Sequence, residues 1–267
     1  MAVVAGERPD WEWYERARDA VVAGDLDAAE QFAADGLAAG HLIRVSLLLA
    51  PGLEPLRGRK RFEEIAAEAR ERVAARNLKP RLLVEPARNR AGVAPLLLVL
   101  HGARGNAAEE LERWRAAAGL GFIVATAQSS QPATEDGYCW DPPRERIWQD
   151  LSAIVPNLPA HGRSVLAGFS QGAWVALNLA LEGTLIVAGS VVMVAPFAGP
   201  DANLPPAWRR LKVTILIGEK DAYREPVETL AGQLKERGHH VSIDVIAGLG
   251  HVYPPDFEAR LPALLRP

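Results

Sequence analysis

Hydrophobic and polar residues alternate with two different periodicities along this chain. From about residue 11 to residue 77, apolar residues recur every three or four positions, the spacing that places them on one face of an α-helix. After residue 80 the pattern changes to short apolar runs, such as Leu96–Leu100, which alternate with helix-period segments. We therefore predict a helical domain over residues 1–78 and a mixed strand–helix domain over residues 79–267.

The first domain is predicted to hold four helices, over residues 11–23, 26–37, 41–49 and 60–75. Asp25 can cap the second helix because its carboxylate can accept an orphan backbone N–H. The Gly24-Asp25 break resembles the turn of a tetratricopeptide repeat, although only one such unit is visible. Three roles stay open for this domain: a stabilising accessory bundle, a module for a protein partner or self-association, and a lid over a site on the second domain.

The second domain is predicted to be an α/β fold. Strands are expected at residues 81–84, 96–100, 121–127, 164–168, 190–195, 213–217 and 241–246, with helices between most of them. Regular alternation of this kind predicts a doubly wound, mostly parallel sheet with helices on both faces. Binding and catalytic sites in such sheets lie beyond the carboxyl ends of the strands.

Composition narrows the possible partners and location. The chain has 267 residues, of which 49% are hydrophobic, enough for a sizeable core, and its net charge is −3 without a long block of like charge. Nucleic acid is therefore not an expected partner. No apolar run is long enough to span a membrane. The lone Cys139 excludes an internal disulfide framework, and the acidic N-terminal stretch lacks a leader pattern, so we expect a soluble cytoplasmic protein.

Candidate chemistry begins with Gly168-Phe169-Ser170-Gln171-Gly172, which lies between a predicted strand and a predicted helix. This is the context of a G-x-S-x-G nucleophile turn. A serine that projects clear of a sheet must sit on a sharp, strained turn, and glycines two residues to either side relieve the crowding. The N–H of Gln171, at the helix start, suits a developing oxyanion.

A serine hydroxyl needs a base to take its proton and an acid to orient that base. In this topology both should follow the serine, acid first. Asp221 follows the sixth predicted strand and is the candidate acid, with Glu219 and Glu225 as competitors. His251 lies in a glycine-rich loop after the seventh strand and is the candidate base.

The second oxyanion donor should come from the loop that opens at His101-Gly102, after the strand over 96–100. We predict the backbone N–H of Ala103 for this role, beside that of Gln171. No paired cysteines and no His-x-x-x-His spacing suggest a metal site, and no glycine-rich nucleotide motif suggests a cofactor. We therefore expect neither.

Four segments resemble the phospholipase/carboxylesterase branch of the α/β-hydrolases, which includes the acyl-protein thioesterases, over residues 81–267. They are Leu-His-Gly-Ala-Arg-Gly-Asn (100–106), Gly-Phe-Ser-Gln-Gly (168–172), Gly-Glu-Lys-Asp (218–221) and Gly-His (250–251). The resemblance implies a Ser170, Asp221 and His251 triad, no cofactor, and hydrolysis of carboxylic esters or thioesters. Two positions depart from the family pattern: Ala173 replaces a usual glycine, and Arg104 replaces an apolar residue or glycine.

Substrate contacts are less clearly encoded. Trp140 lies in a long loop and either lines a substrate pocket or anchors that loop, and Tyr223 and Tyr253 pose the same choice. The chain between Ser170 and Asp221 leaves little room for a cap, so we expect an open site for small or extended acyl chains. Two other functions stay open: a non-catalytic scaffold on a hydrolase fold, and a peptidase or C–C hydrolase with the same triad.

Overall fold

The structure is a computed structural model, and it describes residues 9–88, 92–134, 136–197 and 204–266. The chain divides into two compact units. One falls within Met1–Leu78 and Gln131–Gly137, and the other within Lys79–Ser130 and Tyr138–Pro267. The first unit is helical and the second is an α/β unit.

The helical unit follows the predicted periodicity with one correction. Its helices are α1 (Pro9–Val22), α2 (Leu26–Ala38), α3 (Val45–Leu48) and α4 (Lys60–Ala75), with a 3-10 helix over Pro51–Leu56. Asp25 caps α2, because its carboxylate accepts the N–H of Ala28 at 2.9 Å. The prediction of a helix over 41–49 was wrong at both ends. Pro51 disfavours helical geometry in the residue before it, so the chain leaves α3 early and re-forms as the tighter helix.

Close packing and one buried charge hold the helices of this unit together. A Cβ atom added to Gly36 would lie 2.7 Å from Trp13, so α1 and α2 approach each other at a residue without a side chain. The carboxylate of Glu30 is buried and pairs with the guanidinium of Arg59 at 2.8 Å. A buried charge of this kind is tolerated only when it is paired.

The α/β unit is built on a seven-stranded, mostly parallel sheet, as predicted. The strands of this sheet are β1 (Arg81–Glu85), β2 (Leu96–Leu100), β3 (Ile123–Gln128), β6 (Ser164–Phe169), β7 (Ala188–Val194), β8 (Lys212–Gly218) and β9 (His240–Ile246). Two two-residue strands lie outside it: β4 (Gln131–Pro132), which falls in the first unit, and β5 (Tyr138–Cys139), which falls in the second. The order is β1-β3-β2-β6-β7-β8-β9. Only β1 runs antiparallel to its neighbour, β3, among the described strands of this sheet.

Helices cover both faces of the sheet. They are α5 (Ala107–Trp114), α6 (Arg144–Ile154), α7 (Gln171–Glu182), α8 (Arg224–Glu236) and α9 (Phe257–Leu264), with 3-10 helices over Arg115–Leu120 and Val155–Asn157. Successive residues of β2 point to opposite faces: Leu98 packs into a layer with α6, α7 and α8, and Val99 packs into a layer with α5 and α9. All five residues of β2 are buried, as expected of a central parallel strand.

The parallel strands bring several loops to one edge of the sheet. Strands β2, β6, β8 and β9 run in the same direction, and their carboxyl ends are followed by the segments that carry His101, Ser170, Asp221 and His251. The fold therefore sets these segments side by side. None of the described helices combines the length and the apolar character needed to cross a membrane.

Candidate active site

Ser170 lies on a strained turn between β6 and α7. Its backbone has φ 50° and ψ −118°, a conformation that residues with side chains rarely adopt and that costs on the order of 1–3 kcal/mol. A Cβ atom on Gly172 would lie 2.2 Å from the carbonyl oxygen of Leu100, and one on Gly168 would lie 2.5 Å from the backbone of Gly172. Glycine at 172 lets the turn sit against β2, and glycine at 168 lets the turn close on itself.

Three predicted residues meet above this turn in one hydrogen-bonded series. The Nε2 atom of His251 lies 2.8 Å from Oγ of Ser170, and its Nδ1 atom lies 2.8 Å from Oδ2 of Asp221. The other oxygen of Asp221 accepts the N–H of Tyr223 at 2.9 Å. An ionised carboxylate only accepts hydrogen bonds, so Nδ1 of His251 carries the proton and Nε2 faces the serine as an acceptor.

The competing acids occupy other positions. Glu219 accepts the N–H of Gly248 at 2.8 Å, so it fastens the loop that leads to His251 rather than the imidazole itself. Glu225 lies in the first turn of α8 and is exposed. A Cβ atom on Gly218 would lie 2.2 Å from the carbonyl oxygen of Leu249, which shows how closely the two loops approach.

Aromatic rings flank the imidazole of His251. The ring centroids of Phe169 and Tyr223 both lie 5.3 Å from the His251 ring. Phe197 packs edge-on against Tyr223 at 5.0 Å. These contacts restrict the ring orientation of the histidine, and they make Phe169 and Phe197 site residues that the sequence did not single out.

The loop after β2 is organised by His101, which is fully buried. Its Nε2 accepts the N–H of Ser129 at 3.2 Å, so its Nδ1 carries the proton and donates to the carbonyl of Gly102 at 2.8 Å. Burial lowers the pKa of His101 to about 4, which keeps the ring neutral. Arg104, two residues after Gly102, has a left-handed φ of 68°, and its backbone N–H donates to the carbonyl of Tyr138 at 2.7 Å.

The backbone N–H groups of Gln171 and Ala103, which the sequence predicted as oxyanion donors, lie at this edge. Gln171 is the first residue of α7, where N–H groups have no intrahelical partner, and Ala103 lies in the exposed loop after β2. Within the described part of the chain, neither N–H donates to a protein acceptor. The positive end of the α7 dipole adds to the attraction of this position for negative charge.

Trp140 is buried, with 1% of its surface exposed, and is bonded to the loop after β2. Its indole N–H donates to the carbonyl of His101 at 3.0 Å, and its ring stacks on His101 at 5.0 Å. Its backbone N–H donates to the side chain of Gln171 at 2.7 Å, and that side chain donates to Asp141 at 2.9 Å. These contacts favour the anchoring alternative for Trp140. Asp141 was not predicted as a site residue; the Trp-Asp pair that ends a polar loop was the available signal.

The two tyrosines differ in orientation. Tyr223 is half-buried and meets His251 edge-on. Tyr253 stacks its ring on Phe169 at 4.8 Å, whereas its hydroxyl donates to the buried carboxyl of Glu110 at 2.5 Å. Burial raises the pKa of Glu110 to about 7, against the opposing effect of its hydrogen bond to Tyr253. No sequence pattern pointed to Glu110.

Comparisons with known proteins identify the fold. No protein-family model matches the sequence, and no curated protein is similar to it. A solved structure of an uncharacterised protein from Bacillus cereus is 21% identical, with a TM-score of 0.58, over 98% of this chain and 88% of its own. Esterase PE8 is 19% identical, with a TM-score of 0.58, over 70% of this chain and 100% of its own. Est1E from Butyrivibrio proteoclasticus, solved with ferulic acid, is 18% identical, with a TM-score of 0.53, over 70% and 93%.

These structural similarities identify the class of fold. The chain has a fold of the α/β-hydrolase type, in which the esterases among these structures are also built. The match to the Bacillus cereus protein over 98% of the chain also takes in most of the first 78 residues.

Proposed function

We propose that this protein is a serine hydrolase that cleaves carboxylic esters or thioesters, in the phospholipase/carboxylesterase branch that its motifs resemble. The observation that carries the proposal is the hydrogen-bonded series from Ser170 through His251 to Asp221, with 2.8 Å at both steps. Its position at the carboxyl edge of a parallel sheet is the position expected of a catalytic centre in this fold.

In the first half of the reaction, Oγ of Ser170 attacks the carbonyl carbon of the ester while Nε2 of His251 takes the hydroxyl proton. The new C–O bond forces the carbonyl electron pair onto oxygen. The N–H groups of Ala103 and Gln171 donate to this oxyanion. Asp221 stabilises the imidazolium and holds its tautomer.

The tetrahedral intermediate then collapses. The oxyanion electron pair re-forms the carbonyl, the bond to the alcohol or thiol breaks, and the leaving group takes the proton from His251. An acyl group remains on Ser170. Water then attacks the acyl carbon while His251 takes its proton. The second tetrahedral intermediate collapses, the bond from the acyl carbon to Oγ of Ser170 breaks, and Oγ takes the proton from His251 as the carboxylic acid leaves.

The expected product is a carboxylic acid, which is also the chemical class of the ferulic acid bound to Est1E. The short stretch of chain between Ser170 and Asp221 leaves little room for a cap over the site. We therefore propose esters or thioesters with small or extended acyl chains as the substrate class.

The test combines labelling with turnover. Wild-type protein should react with a fluorophosphonate probe at Ser170 and hydrolyse p-nitrophenyl acetate. Ser170→Ala should lose activity by a factor on the order of 10⁴ or more, because the nucleophile is gone. Ser152→Ala, an exposed serine on α6, is the matched control and should behave as wild type.

A wild-type protein that is neither labelled nor active on an acetyl-to-dodecanoyl series of esters and thioesters would contradict the proposal. The same series, compared with matched amides, separates an esterase from a peptidase. The preferred chain length would then define the acyl site.

A further inference from the structure

Three segments of the candidate site converge on Tyr253. This residue follows His251 by two positions. Its ring stacks on Phe169 with centroids 4.8 Å apart and planes 20° apart, and Phe169 directly precedes Ser170. Phe257 on α9 meets the ring edge-on at 4.8 Å, and the guanidinium carbon of Arg113 lies 5.1 Å from the ring centroid. The ring therefore joins the loop of the histidine to the turn of the serine.

The hydroxyl of Tyr253 is turned away from the site into a buried polar cluster. It donates to Oε2 of Glu110 at 2.5 Å and accepts the indole N–H of Trp114 at 3.0 Å. The other oxygen of Glu110 accepts a hydrogen bond from the guanidinium of Arg113 at 3.2 Å. Glu110 is only 1% exposed, and a carboxyl so buried is costly unless it is fully hydrogen-bonded.

Glu110 also connects to the third segment of the site. It lies on α5, which Asn106 caps by accepting the N–H of Glu109 at 2.9 Å. The loop that carries Ala103 runs directly into this cap. The bond between the Glu110 carboxyl and the Tyr253 hydroxyl thus ties the helix that follows the Ala103 loop to the loop that carries His251.

We propose that Glu110 and Tyr253 are positioning residues, whose hydrogen bond fixes the loop of His251 relative to Ser170 and Ala103. The inference rests on the proposed hydrolase function. Neither residue touches the reacting atoms; both act through His251 and Phe169. This role replaces the substrate contact considered for Tyr253 from the sequence, because its hydroxyl faces the protein interior.

The physical reason is that reaction rate depends steeply on geometry. Without the tyrosine hydroxyl, the carboxyl of Glu110 and the N–H of Trp114 each lose a buried partner. The loop of His251 then loses a hydrogen bond that fixes it to α5. A displacement of a catalytic group by about 1 Å can cost a factor of roughly 100 in rate.

The experiment compares three variants on a p-nitrophenyl ester. Tyr253→Phe keeps the stacked ring and removes the hydroxyl, so kcat should fall by about 10- to 100-fold while KM stays within about twofold. Glu110→Ala should do the same. The Tyr253 hydroxyl and the Trp114 indole N–H both donate to Oε2 of Glu110, whereas Arg113 donates to Oε1. Glu110→Gln keeps one acceptor oxygen for the first two donors and loses only the Arg113 bond, so it should restore kcat to within about threefold of wild type.

Leu261→Ala is the control for a merely structural effect. Leu261 is buried in the same apolar layer, on α9, so its truncation should lower Tm without changing kcat at temperatures where the protein is folded. The inference is overturned if Tyr253→Phe keeps wild-type kcat, if Glu110→Gln is as impaired as Glu110→Ala, or if Leu261→Ala lowers kcat as much as Tyr253→Phe.

Failure of this inference can be distinguished from failure of the proposed function. If wild type and Tyr253→Phe are labelled by the fluorophosphonate at Ser170 at the same rate, only the positioning role falls. If wild type is not labelled and does not turn over esters, both fall.

Discussion

The helical unit and the α/β unit depend on contacts of different range along the chain. In the helical unit, Asp25 caps α2 through a residue three positions away, and the buried Glu30 is paired with Arg59, 29 positions away. In the α/β unit, Ser170 and His251 are 81 positions apart, and Glu110 and Tyr253 are 143 positions apart. The polar contacts named for the α/β unit therefore join segments much farther apart along the chain than those named for the helical unit.

Glycine meets two needs, backbone conformation and space, and both occur in the helical unit, where Gly36 is needed for space beside Trp13. Gly24, between α1 and α2, has φ 80° and open space around it, so it is needed for a backbone conformation. Gly172 is needed for space, because Leu100 lies too close for any side chain. Conformational needs are local, whereas space is set by segments that meet only in the folded protein. Changes at the sheet edge should therefore harm activity more than changes of similar size in the helical unit.

The largest effect is expected for Asp221→Asn, which alters the hydrogen-bonded series from Ser170 through His251 to Asp221. The amide can still accept the N–H of Tyr223, so the loop should keep its shape, but it no longer holds the required tautomer of His251. We expect kcat to fall by roughly 10⁴-fold, measured on a p-nitrophenyl ester. Asp244→Asn, an exposed residue of β9 paired with Arg260, should have no such effect. Retention of more than about a tenth of wild-type kcat by Asp221→Asn would disprove the orienting role.

The next largest effect is expected for Gly172→Ala. The new Cβ atom would lie 2.2 Å from the carbonyl oxygen of Leu100, so the turn or β2 must move. Such overpacking costs about 1–3 kcal/mol, and the displaced serine should lower kcat about 100-fold. Gly119→Ala is the matched control, since nothing lies within 4 Å of its added Cβ. Equal activity in the two variants would show that the close approach at Gly172 is not required.

The sequence was sufficient for the elements whose signal is local. The five apolar residues of β2 and the helical period of α4 gave correct bounds, because burial on both faces and a 3.6-residue period leave distinct patterns. The order of Ser170, Asp221 and His251 after their strands followed from the alternation of strands and helices. The direction of β1 was not predictable, because a short edge strand carries no signal of its orientation.

Other features arise only from the folded topology. Glu110 looks like an ordinary acidic residue of a helix start, and nothing near it in sequence indicates that Tyr253 will reach it. The burial of Trp140 likewise depends on His101, 39 positions away. Periodicity and short motifs do not reveal contacts between remote segments. The contacts of Glu110 and Trp140 were therefore not predicted, whereas the positions of Ser170, Asp221 and His251 after their strands were.

The buried carboxyl offers a test by pH. Burial raises the pKa of Glu110 to about 7, above the ordinary value of 4.5, so between these values the folded state holds a proton that the unfolded state has lost. This contribution to stability is complete below pH 4.5 and is lost as pH rises through 7. It amounts to about 3 kcal/mol, since one pKa unit corresponds to about 1.4 kcal/mol.

Glu110→Gln removes this dependence because the amide does not titrate. Its free energy of unfolding, measured by urea titration, should therefore gain about 3 kcal/mol relative to wild type between pH 4.5 and 7.5. Leu261→Ala adds no titrating group, so its difference from wild type should be nearly constant over the same range. A constant difference for Glu110→Gln as well would mean that the carboxyl is not held in the environment described.

The smallest effect compares the two units most directly, because each contains a helix cap that accepts the N–H three residues further on. Asp25 and Asn106 each accept a backbone N–H at 2.9 Å, and replacement of either by alanine should cost about 1 kcal/mol, measured by urea denaturation. Asn106, however, joins the Ala103 loop to the helix of Glu110, so Asn106→Ala should also lower kcat a few-fold. If Asn106→Ala costs stability but leaves kcat unchanged, the Ala103 loop is held without its cap. Both caps would then contribute only to stability, and the contacts between remote segments would be the difference between the two units.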